Sequence, residues 1–216
     1  MSGPAWERSL EVHTAAQTHA LAAALGAVLE TGDLLVLTGE LGAGKTTFTQ
    51  GLGEGLGVRA GIISPTFVLV RIHPNLPEGP RPGGPDLVHV DAYRLESAAE
   101  IDDIDLENTM DSAVTVVEWG RGRVEHLSDS RLEVELHRTR GGAAAAAEPP
   151  AAPVLDFDTD DDDELRTVVI RGFGPRWAEA PALPGTAPLP ETTPGAELPE
   201  TTPGAEPLPQ TPERNP

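Results

Sequence analysis

Apolar positions change their spacing along the chain in a regular order. After Thr14, residues Leu21, Leu25, Val28 and Leu29 recur at helical spacing, which predicts a helix to about Glu30 with one face on a core. Thr14-Ala15-Ala16-Gln17 fits a capping box at its start, and Gly32 lies beyond its end. Leu34 to Leu37 is a short unbroken apolar run, suited to a strand buried on both faces. Lys45 to Leu56 reads as a second helix despite its glycines, with Gly57 as the stop. Phe67–Ile72, Leu87–Val90 and Val114–Val117 are predicted strands. Ser97-Ala98-Ala99-Glu100 is a second capping box, opening helix between the last two. His73 to Asp86 carries five prolines and reads as a surface loop.

Further on, Arg131–His137 and Arg166–Arg171 read as one hairpin with an overgrown loop. Strands alternating with helices on this scale predict an α/β fold: a mostly parallel sheet with helices on both faces, ending in that hairpin.

Composition divides the chain. The 216 residues carry a net charge of −20 and no cysteine. Residues 1–138 hold 21 acids and 10 bases; residues 139–216 hold 14 acids, 5 bases and 15 of the 22 prolines. The second part also contains an alanine run at Ala143–Ala147 and an acidic block at Asp160–Glu164. There LPETTPGAE, beginning at Leu189, repeats from Leu198. Such stretches bury too little apolar surface to offset the entropy of ordering. The expected organisation is a folded domain over 1–138, completed by the strand near 166–171, an acidic low-complexity linker over 139–165 and a disordered Pro-rich tail over 175–216. No run reaches the roughly 18–20 apolar residues of a membrane span. Trp6-Glu7-Arg8 interrupts any signal-like start. A soluble, cytoplasmic protein is therefore expected, one whose bulk charge opposes direct binding to nucleic acid.

The chemistry concentrates after the first buried run. Gly39-Glu40-Leu41-Gly42-Ala43-Gly44-Lys45-Thr46 is a full G-x-x-x-x-G-K-[ST] match, between a predicted strand and a predicted helix. Glycines let backbone N–H groups turn inward around a phosphate at the helix N-terminus. Lys45, the only lysine in the protein, reaches the β- and γ-phosphates, and the Thr46 hydroxyl suits Mg²⁺. Leu41, Gly42, Ala43, Gly44, Lys45, Thr46 and Thr47 are the candidate nucleotide-binding residues, which makes the expected fold P-loop NTPase-like, with three layers.

A Mg²⁺–phosphate site also needs a carboxylate at the end of a neighbouring strand. Asp91 follows Leu87–Val90 and Glu118 follows Val114–Val117; spacing alone leaves open which holds metal and which orients water. Thr66, in Ser64-Pro65-Thr66, lies where a sensor of the γ-phosphate would sit. His89 is expected to pack inside its strand. Asp102, Asp103, Asp105 and Glu107 lack the spacing of a calcium loop.

A small GTPase would need a second lysine for guanine recognition, and an ABC-type ATPase would need a Ser-Gly-Gly signature; the chain has neither. GELGAGKTTF at Gly39–Phe48, SPTF at Ser64–Phe67, HVDAYRL at His89–Leu95 and VEW at Val117–Trp119 occur in that order. Together they resemble the TsaE (YjeE) family, P-loop ATPases of bacterial tRNA threonylcarbamoyladenosine biosynthesis, over about residues 10–138 plus the strand near 166–171. The resemblance implies ATP and Mg²⁺ as cofactors, weak hydrolysis by the protein alone, and work beside a TsaD-like transferase and a TsaB-like subunit. Contact with tRNA would then be indirect, through the complex, at the adenosine beside the anticodon. It also implies that Leu41–Thr46 hold the phosphates and that Thr46 and Glu118 ligate Mg²⁺. By the same pattern Lys45, Asp91 and Thr66 serve catalysis, Thr66 as the switch, and Thr14 lies near the adenine.

The chain departs from that pattern in places. Gly120 follows Trp119 where the family often has proline, which is expected to loosen the turn. Ala92 replaces the usual leucine after Asp91. The insertion at 74–86, the acidic linker and the tail have no family counterpart and are expected to be tolerated surface. A nucleotide-gated assembly module and a small P-loop phosphotransferase are the alternatives to an ATPase subunit.

Overall fold

In a computed structural model of the full chain, the structure describes residues 3–95, 97–102, 104, 106–138 and 165–184. The strands are β1 Trp6–Val12, β2 Leu34–Gly39, β3 Val70–His73, β4 Asp86–Asp91, β5 Ala113–Glu118, β6 Arg131–Arg138 and β7 Arg166–Phe173. The helices are α1 Ala15–Gly26, α2 Lys45–Leu56, α3 Ala98–Asp102 and α4 Glu107–Met110, followed by a 3₁₀ turn at Pro175–Trp177.

The seven strands form one sheet in the order β1-β7-β6-β2-β5-β4-β3. β6, β2, β5 and β4 are mutually parallel, while β3 closes one edge antiparallel to β4. At the other edge β6, β7 and β1 pair antiparallel in turn. The expected α/β architecture is therefore present, with the hairpin pairing Arg131 through Arg138 against Phe173 through Arg166.

Alternation sorts each strand's side chains between two cores. Leu35, Leu37, Val116, Val134 and Ile170 join α1 and α2 in one cluster. Leu34, Val36, Val88, Val90 and Val117 join Ile101 of α3, Leu106 at the start of α4 and Met110 of α4 in the other. Helices thus cover both faces at the sheet centre. Under β6 and β7 the second face is instead a charged ladder, where Arg121 and Arg171 converge on Glu135 at 2.9 and 2.8 Å.

The glycines that weaken α2 as an isolated helix are what let it pack. A Cβ on Gly51 would strike the His19 carbonyl, and one on Gly55 the Ala23 carbonyl, both on α1. The two backbones meet there, so helical propensity is sacrificed for contact.

Several boundaries differ from expectation. β1 was not anticipated, because inward-leaning Arg8 interrupts the apolar alternation of Trp6, Leu10 and Val12. Its guanidinium is satisfied by the Pro181 carbonyl at 2.8 Å. α1 ends at Gly26 rather than near Glu30, and Val28 turns outward while Leu29 stays buried. β3 begins at Val70, not Phe67. Thr66–Val68 form a turn closed by Val68 and Leu69 N–H groups on the Pro65 carbonyl, which leaves Phe67 78% exposed.

The 74–86 insertion is more than surface. Asn75 donates to the Leu56 carbonyl at 2.9 Å and Arg81 to the Leu29 carbonyl at 2.7 Å. It thereby satisfies backbone acceptors at the ends of both α2 and the α1 segment, groups a helix cannot satisfy itself. The expected tail boundary at 175 also moves. Trp177 and Leu183 are buried in the first core, and Arg176 binds Asp33 at 3.2 Å. The rest of that expected tail and residues 139–164 of the expected linker lie outside the described residues.

Candidate functional site

β2 delivers the chain into Gly39, whose φ of 153° and whose missing Cβ, only 2.7 Å from the Leu136 carbonyl, both require glycine. The loop then turns through Gly42 and Gly44 and enters α2. Gly44 is the N-cap at φ 99°, and no side chain caps the helix. As a glycine, Gly44 offers no side chain to cap the first-turn N–H groups of α2, which suits an anion cradle. Leu41 stands at the loop tip, 90% exposed, Ala43 is buried beneath it, and Thr46 and Thr47 are partly exposed.

Lys45 is 6% exposed. Its ammonium donates to the carbonyls of Gly39 at 2.9 Å and Glu40 at 3.0 Å, and lies 4.1 Å from the centroid of the Trp119 ring. Burial pushes its pKa below the usual lysine value, and the charges of Glu118 and Asp91 oppose that shift. The lysine is thus curled on its own loop, within a site whose two carboxylates favour its charged form.

Those carboxylates end adjacent parallel strands, and Asp91 and Glu118 are register partners. Asp91 is 3% exposed. Its Oδ2 accepts from Thr66 Oγ1 at 2.6 Å and from Ser64 Oγ at 3.2 Å, and its Oδ1 accepts from the Tyr93 N–H at 2.9 Å. Glu118 is equally buried, and its Oε1 meets His89 Nε2 at 2.8 Å. The structure thus joins the Ser64-Pro65-Thr66 segment to Asp91, and puts Glu118 beside Asp91. Thr14 is not brought to these groups by its hydrogen bonds: its hydroxyl accepts from the Gln17 N–H, and its carbonyl from Thr18.

Three features escaped the sequence. Trp119 adopts φ 61°, rare for a bulky residue, and its ring lies against the lysine. The turn behind it is closed rather than loose: Trp119 N–H reaches the Leu37 carbonyl, and Arg123 N–H the Gly120 carbonyl, both at 2.9 Å. Gly120 packs where a Cβ would press on Val117 and Val124. His89 does not merely pack; it bonds Glu118. Arg138 and Arg166, register partners across the hairpin, also lie at the loop, with Arg138 Nη1 3.1 Å from where a Gly42 Cβ would be. Only their positions at strand ends hinted at this.

The donor set fits Mg²⁺. Buried carboxylate oxygens and the Thr46 hydroxyl are hard ligands, and this ion is commonly held by one or two carboxylates together with substrate phosphates and water. Glu118 is suited to this, because its Oε1 meets His89 and its other oxygen has no partner among the described residues.

Comparison with known proteins agrees with this geometry. The family described as "Threonylcarbamoyl adenosine biosynthesis protein TsaE" matches residues 12–144. The chain is similar to the tRNA threonylcarbamoyladenosine biosynthesis protein TsaE of Streptomyces coelicolor, 47% identical over 157 residues, covering 72% of this chain and 90% of that one. The Bacillus subtilis protein of the same name is 38% identical over 123 residues, covering 56% and 72%. Among solved structures, Bacillus subtilis YdiB superposes with a TM-score of 0.55 at 26% identity, covering 80% of this chain and 89% of that one. A chain whose P-loop, paired strand-end carboxylates and matched residues all fall within this family's span belongs to the TsaE family.

Proposed function

We propose that the protein is the ATP-binding and hydrolysing subunit serving threonylcarbamoyladenosine modification of tRNA, at the adenosine beside the anticodon. It works in the cytoplasm with a TsaD-like transferase and a TsaB-like subunit, which supply the basic surface that this acidic chain lacks. The observation that carries the reading is the convergence of Lys45, Glu118 and the Thr66–Asp91 pair on one P-loop in a TsaE-family chain.

The loop from Leu41 to Thr47 cradles the phosphates. Lys45 leaves its own carbonyls to meet charge on the γ-phosphoryl group, so its present hydrogen bonds are exchanged rather than lost. Thr46 and Glu118 would hold Mg²⁺, which would supply neutralisation of phosphate charge. Asp91 orients the attacking water once Thr66 releases it, and Thr14 borders the adenine. With few groups spent on catalysis itself, turnover by the isolated subunit is slow.

The latched Thr66 also favours a second reading, a nucleotide-gated assembly module in which hydrolysis is incidental. Asp91→Asn separates the two: a module retains tRNA modification while ATP binding persists, whereas an ATPase subunit loses it. The test of the main reading is depletion of the protein in cells, followed by measurement of modified tRNA. A fall in threonylcarbamoyladenosine is expected, and an unchanged level rejects the assignment.

A further inference from the structure

His89 is buried completely, yet it carries two nitrogens into an apolar interior. Such a residue costs stability unless its polar atoms are satisfied. Nε2 lies 2.8 Å from Glu118 Oε1, whereas Nδ1 has no hydrogen-bond partner among the described residues. His73, whose ring is 6.3 Å away, likewise has an unpartnered buried Nε2. Among the described residues the contact with Glu118 is therefore the one hydrogen bond that His89 makes, and a leucine would fill the strand position more cheaply.

The geometry is that of a ligand supported from behind. Glu118 ends β5 and His89 lies on β4, two residues before Asp91 and on the same face. An ionised carboxylate accepts only, so Nε2 carries the proton and the hydrogen bond fixes one carboxylate oxygen. The other oxygen has no partner among the described residues, on a carboxylate close enough to Lys45 of the phosphate loop to act on its charge. Outer partners of this kind orient metal-binding groups, and their loss commonly costs 10–100-fold in metal affinity.

We propose that His89 is a positioning residue, holding the Glu118 carboxylate in the orientation that receives the Mg²⁺ of the bound nucleotide. This rests on the reading of Glu118 as a metal ligand. It also explains why a histidine, rather than an aliphatic residue, stands in the middle of a buried parallel strand.

The test is the affinity of the full chain for a fluorescent ADP analogue, measured with Mg²⁺ and with EDTA. For His89→Leu the ratio of the two affinities should fall about tenfold, with binding in EDTA unchanged. His89→Gln, whose amide nitrogen can occupy the Nε2 position, should restore the ratio to within about threefold, whereas His89→Asn, whose amide reaches only the Nδ1 position, should not. An unaltered ratio in His89→Leu, or equal ratios in the Gln and Asn variants, overturns the proposal. Should the Leu variant fail to fold, as judged by circular dichroism, the Gln and Asn comparison decides. A wild-type protein that binds ADP without any help from Mg²⁺ would instead reject the metal-site reading beneath it.

Discussion

Thr66 gives its hydroxyl proton to Asp91 over 2.6 Å, and Ser64 approaches the same oxygen at 3.2 Å. Two hydroxyls from one turn thus hold a carboxylate at the end of β4, and tie the turn to the site.

If Thr66 must leave Asp91 to sense a γ-phosphate, Thr66→Val should release the latch and remove the sensor together. Loss of one such bond costs about 1–3 kcal/mol. ATP turnover, measured with partners present, should fall at least tenfold while ADP affinity changes less than about threefold, and Thr66→Ser should retain most of the turnover. Equal losses in turnover and ADP affinity would instead make Thr66 a simple binding group.

Trp119 supports Lys45 from below, at 4.1 Å. A cation over an aromatic face gains roughly 0.5–2 kcal/mol. Trp119→Leu should therefore weaken ATP binding about three- to tenfold by titration calorimetry, and Trp119→Phe should recover part of that. Identical affinity in the Leu variant would show that the ring serves packing alone.

Trp177 is 2% exposed, and its carbonyl takes the Trp6 indole N–H at 2.8 Å. Trp177→Ala should cost about 3–5 kcal/mol, as large aromatic truncations in cores do. A melting curve would register this as a drop of many degrees, and a shift within error would mean the segment after β7 adds nothing to the core.

Glu135 is held at about pKa 2, against an ordinary 4.5, chiefly by hydrogen bonds from Arg121 and Arg171. A carboxyl group with a depressed folded value stabilises fully above its unfolded value and loses that contribution as pH falls through its folded one. Glu135→Gln should thus lower stability at pH 7 by about 1 kcal/mol, the upper range for partly exposed pairs. The difference from wild type should shrink between pH 4.5 and 2. Denaturant melts at several pH values would check it, and a pH-independent difference would contradict the mechanism.

Most of the phosphate loop and its flanking elements could be read from residue order, because phosphate chemistry fixes the loop's residue types and a buried parallel strand leaves an unbroken apolar run. The hairpin was legible for the same reason, across a gap of low complexity. What could not be read was whatever depends on a long-range partner. Arg8 hid β1 because the Pro181 carbonyl that satisfies it lies far along the chain. Phe67 mimicked a strand residue, yet the Pro65 carbonyl captures the two N–H groups that follow it and makes a turn. His89 looked like filling because its acceptor sits on another strand.

Arg138 and Arg166 face each other as the last and first residues of paired strands. The chain therefore departs and returns through neighbouring backbone positions, with the gap already bridged by the sheet. The sheet thus holds both ends of the intervening segment at one place, whatever its length. An experimenter can use the same doorway: a reporter domain grafted between these arginines would report from the rim of the phosphate loop.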